Sequence, residues 1–522
     1  MSEKFSTPPF SRRRFLAGTA TAALASALPR DLLFAQPAPK AAKFRRLNLS
    51  DPKAAPMLAS YQKAITAMLA LPPTDPRNWY RNSFTHLLDC PHGNWWFFVW
   101  HRGYLGWFEE TCRQLSGDPN FALPYWDWTV EPRVPASFFT GVLNPSNPAY
   151  IASFAAFKST FTAPVNAFWK SLTPMQVKEL QLRGFNSVAD FWSAVPGMFF
   201  PPSQVRTLTQ ANPNFDTVTK KAVSLPTVLA GLQPKTFLDF GSAKAANHSQ
   251  STGFGIIEGQ PHNNVHNNIG GFMGDFLSPV DPLFFMHHSN IDRLWDVWTR
   301  KQLKLHLPTL PTGADLTAWS REPFLFYIDA AGKPVGQNKA GDYATIGQFN
   351  YDYQPGSGES IVPKLAAALA AQSAKLFTAT VQSSALVFSK RATSVVKVPA
   401  DVINQASTEQ GPTLFARVTI QPPADARNLR FEVFVNAPEG AEVGPDDPHF
   451  AGSFEFFGSH HHLEGPVTFD MPLSPALRGM RSANLLKAEA PLQVHVVPRA
   501  KGAAPKALAP TVRVQNLVVG TF

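Results

Sequence analysis

The chain has 522 residues, of which 44% are hydrophobic and 16% charged, with a formal net charge of +10. That length supports two or more domains with large cores, and the composition is that of a globular protein. The positive charge is scattered, with Lys43–Arg46 its densest cluster beyond the N-terminus, which argues for solubility and against nucleic-acid binding.

Residues 1–36 read as an export signal and not as part of the fold. Ser11 and the pair Arg12-Arg13 precede Phe15-Leu16 and a run of small apolar residues too short to span a bilayer. This is the pattern of a twin-arginine signal cut near Ala35, a route associated with proteins that fold, often around a cofactor, before leaving the cytoplasm. No later apolar run is long enough for a membrane helix, so a soluble periplasmic or extracellular protein is expected.

Residues 37–355 read as helices joined by Pro-rich loops, and the last of the twelve tryptophans is Trp319. Residues 356–375 read as a linker with an Ala-rich helical stretch. From 376 to 522, segments such as "TLFARVTI" and "LRFEVFVNA" alternate apolar and polar residues, the period of a smaller antiparallel β domain. The stretch 135–250 shows no ligand pattern and is assigned no chemistry. The two cysteines, Cys90 and Cys112, exclude a disulfide framework and leave one bridge open.

Histidines fall into two sets. The first lies in "FTHLLDCPHGNWWFFVWHRGYL". His101 sits in the stripe Phe97, His101, Leu105, Phe108, Cys112, a buried helix face, whereas His92, nine residues earlier, would lie on the opposite side of a continuous helix. His92 is therefore expected from the loop entering the helix, with His86 in the segment before it. In the second set, His262 and His266 in "PHNNVHNN" are about 40° apart around a helix, with Pro261 suited to its first turn. Asp281-Pro282 start another helix, on which Phe284, His288, Ile291, Trp295 and Trp298 form an apolar stripe. His287 lies about 100° away and is expected to be a core histidine bonded to backbone.

Buried imidazoles need partners, and a metal is one. Two sets of three histidines, without cysteine or carboxylate at ligand spacing, suit Zn, Cu, Fe or Ni. A lone three-His zinc site would point to a hydrolase or hydratase. Two neighbouring all-imidazole copper sites are the arrangement suited to dioxygen.

These segments, with "PYWDW" at 124–128 and "DPLFFMHHSNIDRLW", resemble the copper-binding regions of tyrosinases, catechol oxidases and molluscan hemocyanins. The resemblance implies a mainly α fold: a helical-bundle dicopper core followed by a smaller antiparallel β-sandwich-like domain. It assigns His86, His92 and His101 to one copper and His262, His266 and His288 to the other, with O2 as co-substrate and phenolic small molecules as substrates. It also implies a thioether joining Cys90 to His92, a water-holding Glu258 with Asn263 orienting that water, and Phe276 as a gate over one copper. "EPFLFYIDAAGKPVG", Tyr351–Tyr353 and "FAGSFEFF" extend the likeness toward plant polyphenol oxidases. In such relatives a C-terminal domain plugs the site, and Phe454, Phe456 and Phe457 are the candidate plug here. His460–His462 read as an exposed polar loop. The expected activity is ortho-hydroxylation of monophenols and oxidation of o-diphenols to o-quinones, latent until the lid is displaced. A catechol oxidase without the monophenol step and a hemocyanin-like oxygen carrier are the alternatives.

Overall fold

The computed structural model describes residues 42–198, 200–201, 203–366, 374–388, 390–422, 429–458, 465–501 and 513–522. The expected export signal, the centre of the Ala-rich stretch and His460–His462 lie outside these residues.

The first part of the chain is helical. Helix α1 (Ala55–Ala70) packs on α3 (Phe97–Ser116), which also packs on α11 (Leu283–Lys304), and α2 (Trp79–Asp89) leads into α3 through the loop 90–96. The stretch 135–250 supplies α4 (Phe154–Ser171), α5 (Pro174–Leu182), α6 (Val188–Met198), α7 (Thr217–Ala222), α8 (Leu225–Leu232) and α9 (Phe237–Phe240). Local chemistry sets the ends of the ligand-bearing helices. Asn78 caps α2 by accepting the Tyr80 and Arg81 N–H groups, and Cys90-Pro91 stops it. Gly117 ends α3 at φ 71°, a left-handed conformation that glycine adopts without a Cβ clash. The Asp281 carboxylate accepts the Leu283 N–H at 2.9 Å and so opens α11.

Helix α11 departs from the sequence expectation. It is buried on every face from Leu283 to Thr299, not along one stripe, because it runs through the middle of the core. Its buried carboxylate Asp292 is consequently heavily paired. Asp292 accepts from Arg102 Nε at 2.7 Å, from Arg46 at 3.3 Å, and from the Tyr351 and Tyr353 hydroxyls. Arg46 also donates to Glu109 at 2.8 Å. It reaches this centre on β1 (Phe44–Arg46), which pairs in parallel with β3 (Tyr351–Tyr353). The basic cluster 43–46 therefore contributes a structural arginine as well as surface charge. Burial works against the Asp292 charge, but Arg102 and Arg46 hold its carboxyl below the usual range. Removing one member of a buried ion network leaves the others uncompensated. Asp292→Ala is expected to cost about 3–5 kcal/mol, measurable by denaturant unfolding; a loss under about 1 kcal/mol would contradict this account.

The C-terminal part forms two five-stranded sheets. One has the order β2-β10-β7-β12-β4 and the other β5-β6-β11-β8-β9. The strands are β2 (Gly253–Phe254), β4 (Lys375–Thr378), β5 (Thr380–Ser383), β6 (Ala392–Val396), β7 (Leu414–Ile420), β8 (Leu429–Val435), β9 (Phe450–Glu455), β10 (Val467–Pro472), β11 (Leu492–Ala500) and β12 (Val514–Thr521). Pairing is antiparallel with one exception. Strand β2 comes from the helical part and pairs in parallel with β10, Thr468 opposite Gly253 and Phe469 opposite Phe254. The helical part thus supplies an edge strand to a sheet of the C-terminal part.

Phe454 and Phe456, two of the three plug candidates, belong to the interior of this domain. Phe454 stacks on Phe431 at 5.0 Å and on Phe469 at 4.4 Å, and Phe456 meets Phe469 edge-on at 5.0 Å. Alternate residues of a strand face opposite sides, so Phe454 points into the sandwich. Only Phe457 leaves toward the helices.

Candidate metal centre

The structure brings the predicted histidines into two buried groups. In the first, His86, His92 and His101 place one ring nitrogen each within 4.8 Å of one another. His86 lies on α2, His92 on the loop and His101 on α3. In the second, His262 and His266 face His287 and His288 of α11 under the same criterion. The helical run carrying His262 starts before Pro261. A π turn, Glu258–His262, precedes α10 (Asn263–Ile269), and Pro261 lies within that turn. The His262 and His266 rings still approach to 4.5 Å.

The hydrogen bonds decide which ring nitrogens have a free lone pair. His86 Nδ1–H donates to Phe276 O at 2.7 Å, His101 to Phe97 O at 2.7 Å, His266 to Met273 O at 2.6 Å, and His262 to Asn263 Oδ1 at 2.8 Å. Each bond fixes the tautomer and leaves Nε2 as a lone-pair donor. The Nε2 atoms of His86, His92, His101 and His262 are buried without a partner, an expensive state that a metal ion would relieve. His266 Nε2 lies 3.1 Å from His288 Nε2; nitrogens sharing one tetrahedral ion at about 2.0 Å stand about 3.3 Å apart. Burial, followed by neighbouring histidines, pushes His86, His92, His262 and His288 well below the ordinary imidazole value, and His101 and His266 fall to about 3. The rings are neutral, the form that binds metal. The residues fit two copper ions.

His287 differs from the expectation of a backbone partner. The indole Nε1–H of Trp128 donates to its Nδ1 at 3.1 Å. An indole can only donate, so that lone pair is occupied and the proton of the neutral ring sits on Nε2. Although His287 stands within the second group, it has no free lone pair to offer. Its proximity follows from the all-round burial of α11.

The remaining predicted residues surround these groups. Phe276 stands 5.6 Å from His92 and 6.3 Å from His86 by ring centroids. Cys90 Sγ is 3.5 Å from His92 Nδ1, and both cysteines are free and buried, so no disulfide joins them. Glu258 is buried, one oxygen accepting the Gly93 N–H at 2.6 Å and the other the Ser242 hydroxyl at 2.6 Å. Burial pushes its carboxyl up to about 8 against the lowering effect of those two bonds. Asn263 has both ends of its amide engaged, Oδ1 with His262 and Nδ2 with Glu455 O at 2.8 Å. Phe457 projects into the space between the groups, its ring 4.3 Å from His266, 4.7 Å from His92, 5.4 Å from His262 and 5.6 Å from Phe276.

Sequence reasoning missed the supports contributed by 135–250. Ser242 orients Glu258, and Arg183 donates to Cys90 O at 2.8 Å. His248 is fully buried, with Nε2 3.1 Å from Asp89 and Nδ1 2.7 Å from Glu322. Its carbonyl accepts Asn94 Nδ2 at 3.0 Å, which ties it to the loop bearing His92. A lone histidine in a polar loop gave no spacing signal. Burial opposes its charge, but Asp89 and Glu322 outweigh burial and raise the pKa from 6.5 to about 9. A raised pKa contributes stability that is complete below 6.5 and lost as pH rises through 9. The melting temperature is therefore expected to fall across that window, and His248→Gln to flatten the fall. An equal slope in the variant would assign the effect elsewhere.

Comparison with known proteins agrees with this geometry. The family model for the common central domain of tyrosinase matches residues 60–301. Over 434 residues the chain is 28% identical to the chloroplastic polyphenol oxidase of Malus domestica, covering 76% of this chain and 65% of that protein. It is 26% identical over 430 residues to aureusidin synthase of Antirrhinum majus, covering 76% and 68%. The chain spans about two thirds of the length of the curated relatives it matches. Among solved structures, latent apple tyrosinase superposes with a TM-score of 0.55 at 22% identity, covering 93% of this chain and 99% of that one. A functional unit of octopus hemocyanin gives 0.51 at 17% identity, covering 91% and 99%. These structural likenesses concern the fold, a mainly helical core followed by a sheet-rich C-terminal part. No described helix is long and apolar enough to cross a membrane. Residues 60–301, which carry the six histidines named above, thus match the common central domain of tyrosinase, in a chain similar along most of its length to polyphenol oxidases.

Proposed function

We propose that the chain is a dicopper phenol oxidase of the tyrosinase type, ortho-hydroxylating monophenols and oxidising o-diphenols to o-quinones with O2. The observation that supports this most is the pair of neutral three-histidine groups with an aromatic ring lodged between them. His86, His92 and His101 would hold one copper and His262, His266 and His288 the other. Bound there, the copper pair supplies two-electron chemistry toward dioxygen and phenols.

The protein's own residues then bind and orient the ring. Phe276 and the histidine rings form an apolar slot, and the place filled by Phe457 is the size of a phenol. A phenol is almost wholly protonated at neutral pH, so Glu258 is the base that would take its proton through an intervening water. Gly93 N–H and the Ser242 hydroxyl hold that carboxylate in one orientation. Asn263, held by His262 and by Glu455 O while the lid is docked, is the residue proposed to orient that water. Phe457 fills the slot in that state, so turnover of an added phenol is tied to lid displacement. Phe457 is the plug, and Phe276 is the gate beside it.

A Cys90–His92 thioether is part of the same reading, supported by the 3.5 Å approach of Sγ to the ring. It would fix the one loop-borne ligand, and mass spectrometry of that peptide is expected to show a loss of two hydrogens. The twin-arginine pattern at 11–16 supports export, whereas the plant relatives carry chloroplastic names. The deciding experiment is oxygen uptake by copper-loaded chain with catechol and a simple monophenol, before and after lid displacement by dilute SDS. Uptake with both after displacement is expected. Uptake with catechol alone favours a catechol oxidase, and reversible oxygenation without consumption of phenol favours a carrier.

A further inference from the structure

The segment that delivers Phe457 is held through its main chain. Gln260, Asn263, Asn264 and Asn267 are spaced i, i+3, i+4 and i+7, one face of the π turn and α10. All four carboxamides donate to carbonyls of residues 453–456. Gln260 Nε2 donates to Ser453 O, as does Asn264 Nδ2 at 3.5 Å; Asn263 Nδ2 donates to Glu455 O at 2.8 Å and Asn267 Nδ2 to Phe456 O at 2.9 Å. The Ser453 hydroxyl donates back to Asn264 Oδ1 at 3.0 Å. Seven residues of helix rise about 10 Å, and three residues of extended chain cover about 10 Å. Row and strand therefore match in length. Gly452 permits the approach, since a Cβ there would stand 3.0 Å from Gln260 Oε1.

Apart from the Ser453 hydroxyl, these contacts recognise peptide carbonyls and ignore side chains. A small phenol has no carbonyls to meet them. When the segment leaves, Gln260, Asn263 and Asn267 lose these carbonyl acceptors, while Asn264 keeps Gln260 O at 2.9 Å, and a carboxamide that stays buried and unpaired is costly. An extended polypeptide with an aromatic ring four residues after the first recognised carbonyl restores every bond.

Building on the phenol-oxidising reading above, we propose that the opened site accepts tyrosyl side chains within extended polypeptides, with this carboxamide row binding the main chain before the ring. One tyrosyl ring and one O2 give one peptidyl o-quinone and one water. The ring gains one oxygen and loses two hydrogens, and the second oxygen atom leaves as the water.

The chain's own lid provides the test. In copper-loaded full-length chain with Phe457→Tyr kept in air, the peptide containing position 457 is expected to gain one oxygen and lose two hydrogens by mass spectrometry. Adding Asn267→Leu, on the rim of the row and outside both histidine groups, is expected to lower the modified fraction severalfold. Catechol oxidation after SDS opening should be equal with and without that second change. An unmodified ring at position 457 in a Phe457→Tyr chain that oxidises catechol once opened would overturn this inference and leave the phenol oxidase standing. Equal modification with and without Asn267→Leu would overturn the role of the carboxamide row. No catechol oxidation by the opened, copper-loaded chain would overturn both readings.

Discussion

Phe457→Ala is expected to oxidise catechol without SDS or protease, at a rate at least about tenfold above the undisturbed parent, a barrier change of about 1.4 kcal/mol or more. The argument is steric. The Phe457 ring lies 4.3–5.4 Å from three of the candidate ligands, where a substrate ring must sit, and alanine leaves a void of that shape. Burying a phenylalanine contributes about 1.5–3 kcal/mol, so the substitution also loosens the lid. Phe454→Ala empties the lid's interior instead and is expected to cost about 3–5 kcal/mol of stability without opening the slot through its own side chain. Copper content should stay at two ions in Phe457→Ala. A variant as latent as its parent, with full copper, would show that access is blocked elsewhere.

The second large effect separates two adjacent histidines. His288→Gln is expected to reduce copper from two ions to one per chain and to lose nearly all oxidase activity, because His288 Nε2 lies beside that of His266. His287→Gln is expected to retain both ions, because Trp128 already occupies the one lone pair of that neutral ring. Its cost is the indole hydrogen bond, about 1 kcal/mol. Metal analysis after dialysis reads the difference directly and needs no turnover. Loss of copper from His287→Gln with retention in His288→Gln would overturn the tautomer assignment.

The chemistry was legible in the sequence where spacing on a helix constrained it. His101 and His288 follow from buried stripes, and His92 falls on a loop because nine residues of helix would turn it away. The legibility ended where partners came from distant segments. The Trp128–His287 bond spans 159 residues and Asp89–His248 the same separation, and neither has a local pattern. The choice among Phe454, Phe456 and Phe457 depended on where β9 ends, which alternation alone does not show. The Asp292–Arg46 pair carries no local pattern either, because burial on all faces of α11 has no signature in a stripe count.

The parallel pairing of β2 with β10 bears on how the molecule is assembled. Gly253 and Thr468 come from parts of the chain far apart in sequence, and contacts of such separation form late. Ser251 meanwhile donates to His92 O at 2.6 Å, and Thr252 and Gly253 donate to Gly93 O at 2.8 and 2.9 Å. The late-forming sheet edge is therefore continuous with the loop that presents His92. Once β10 has zipped onto β2 and Phe457 has entered, the route to both histidine groups is shut from the lid side. Metal that enters from this side is consequently expected to do so before that edge closes. Chains matured without copper would be sealed empty, and adding the ion afterwards would be limited by the rate at which this sheet edge unpairs.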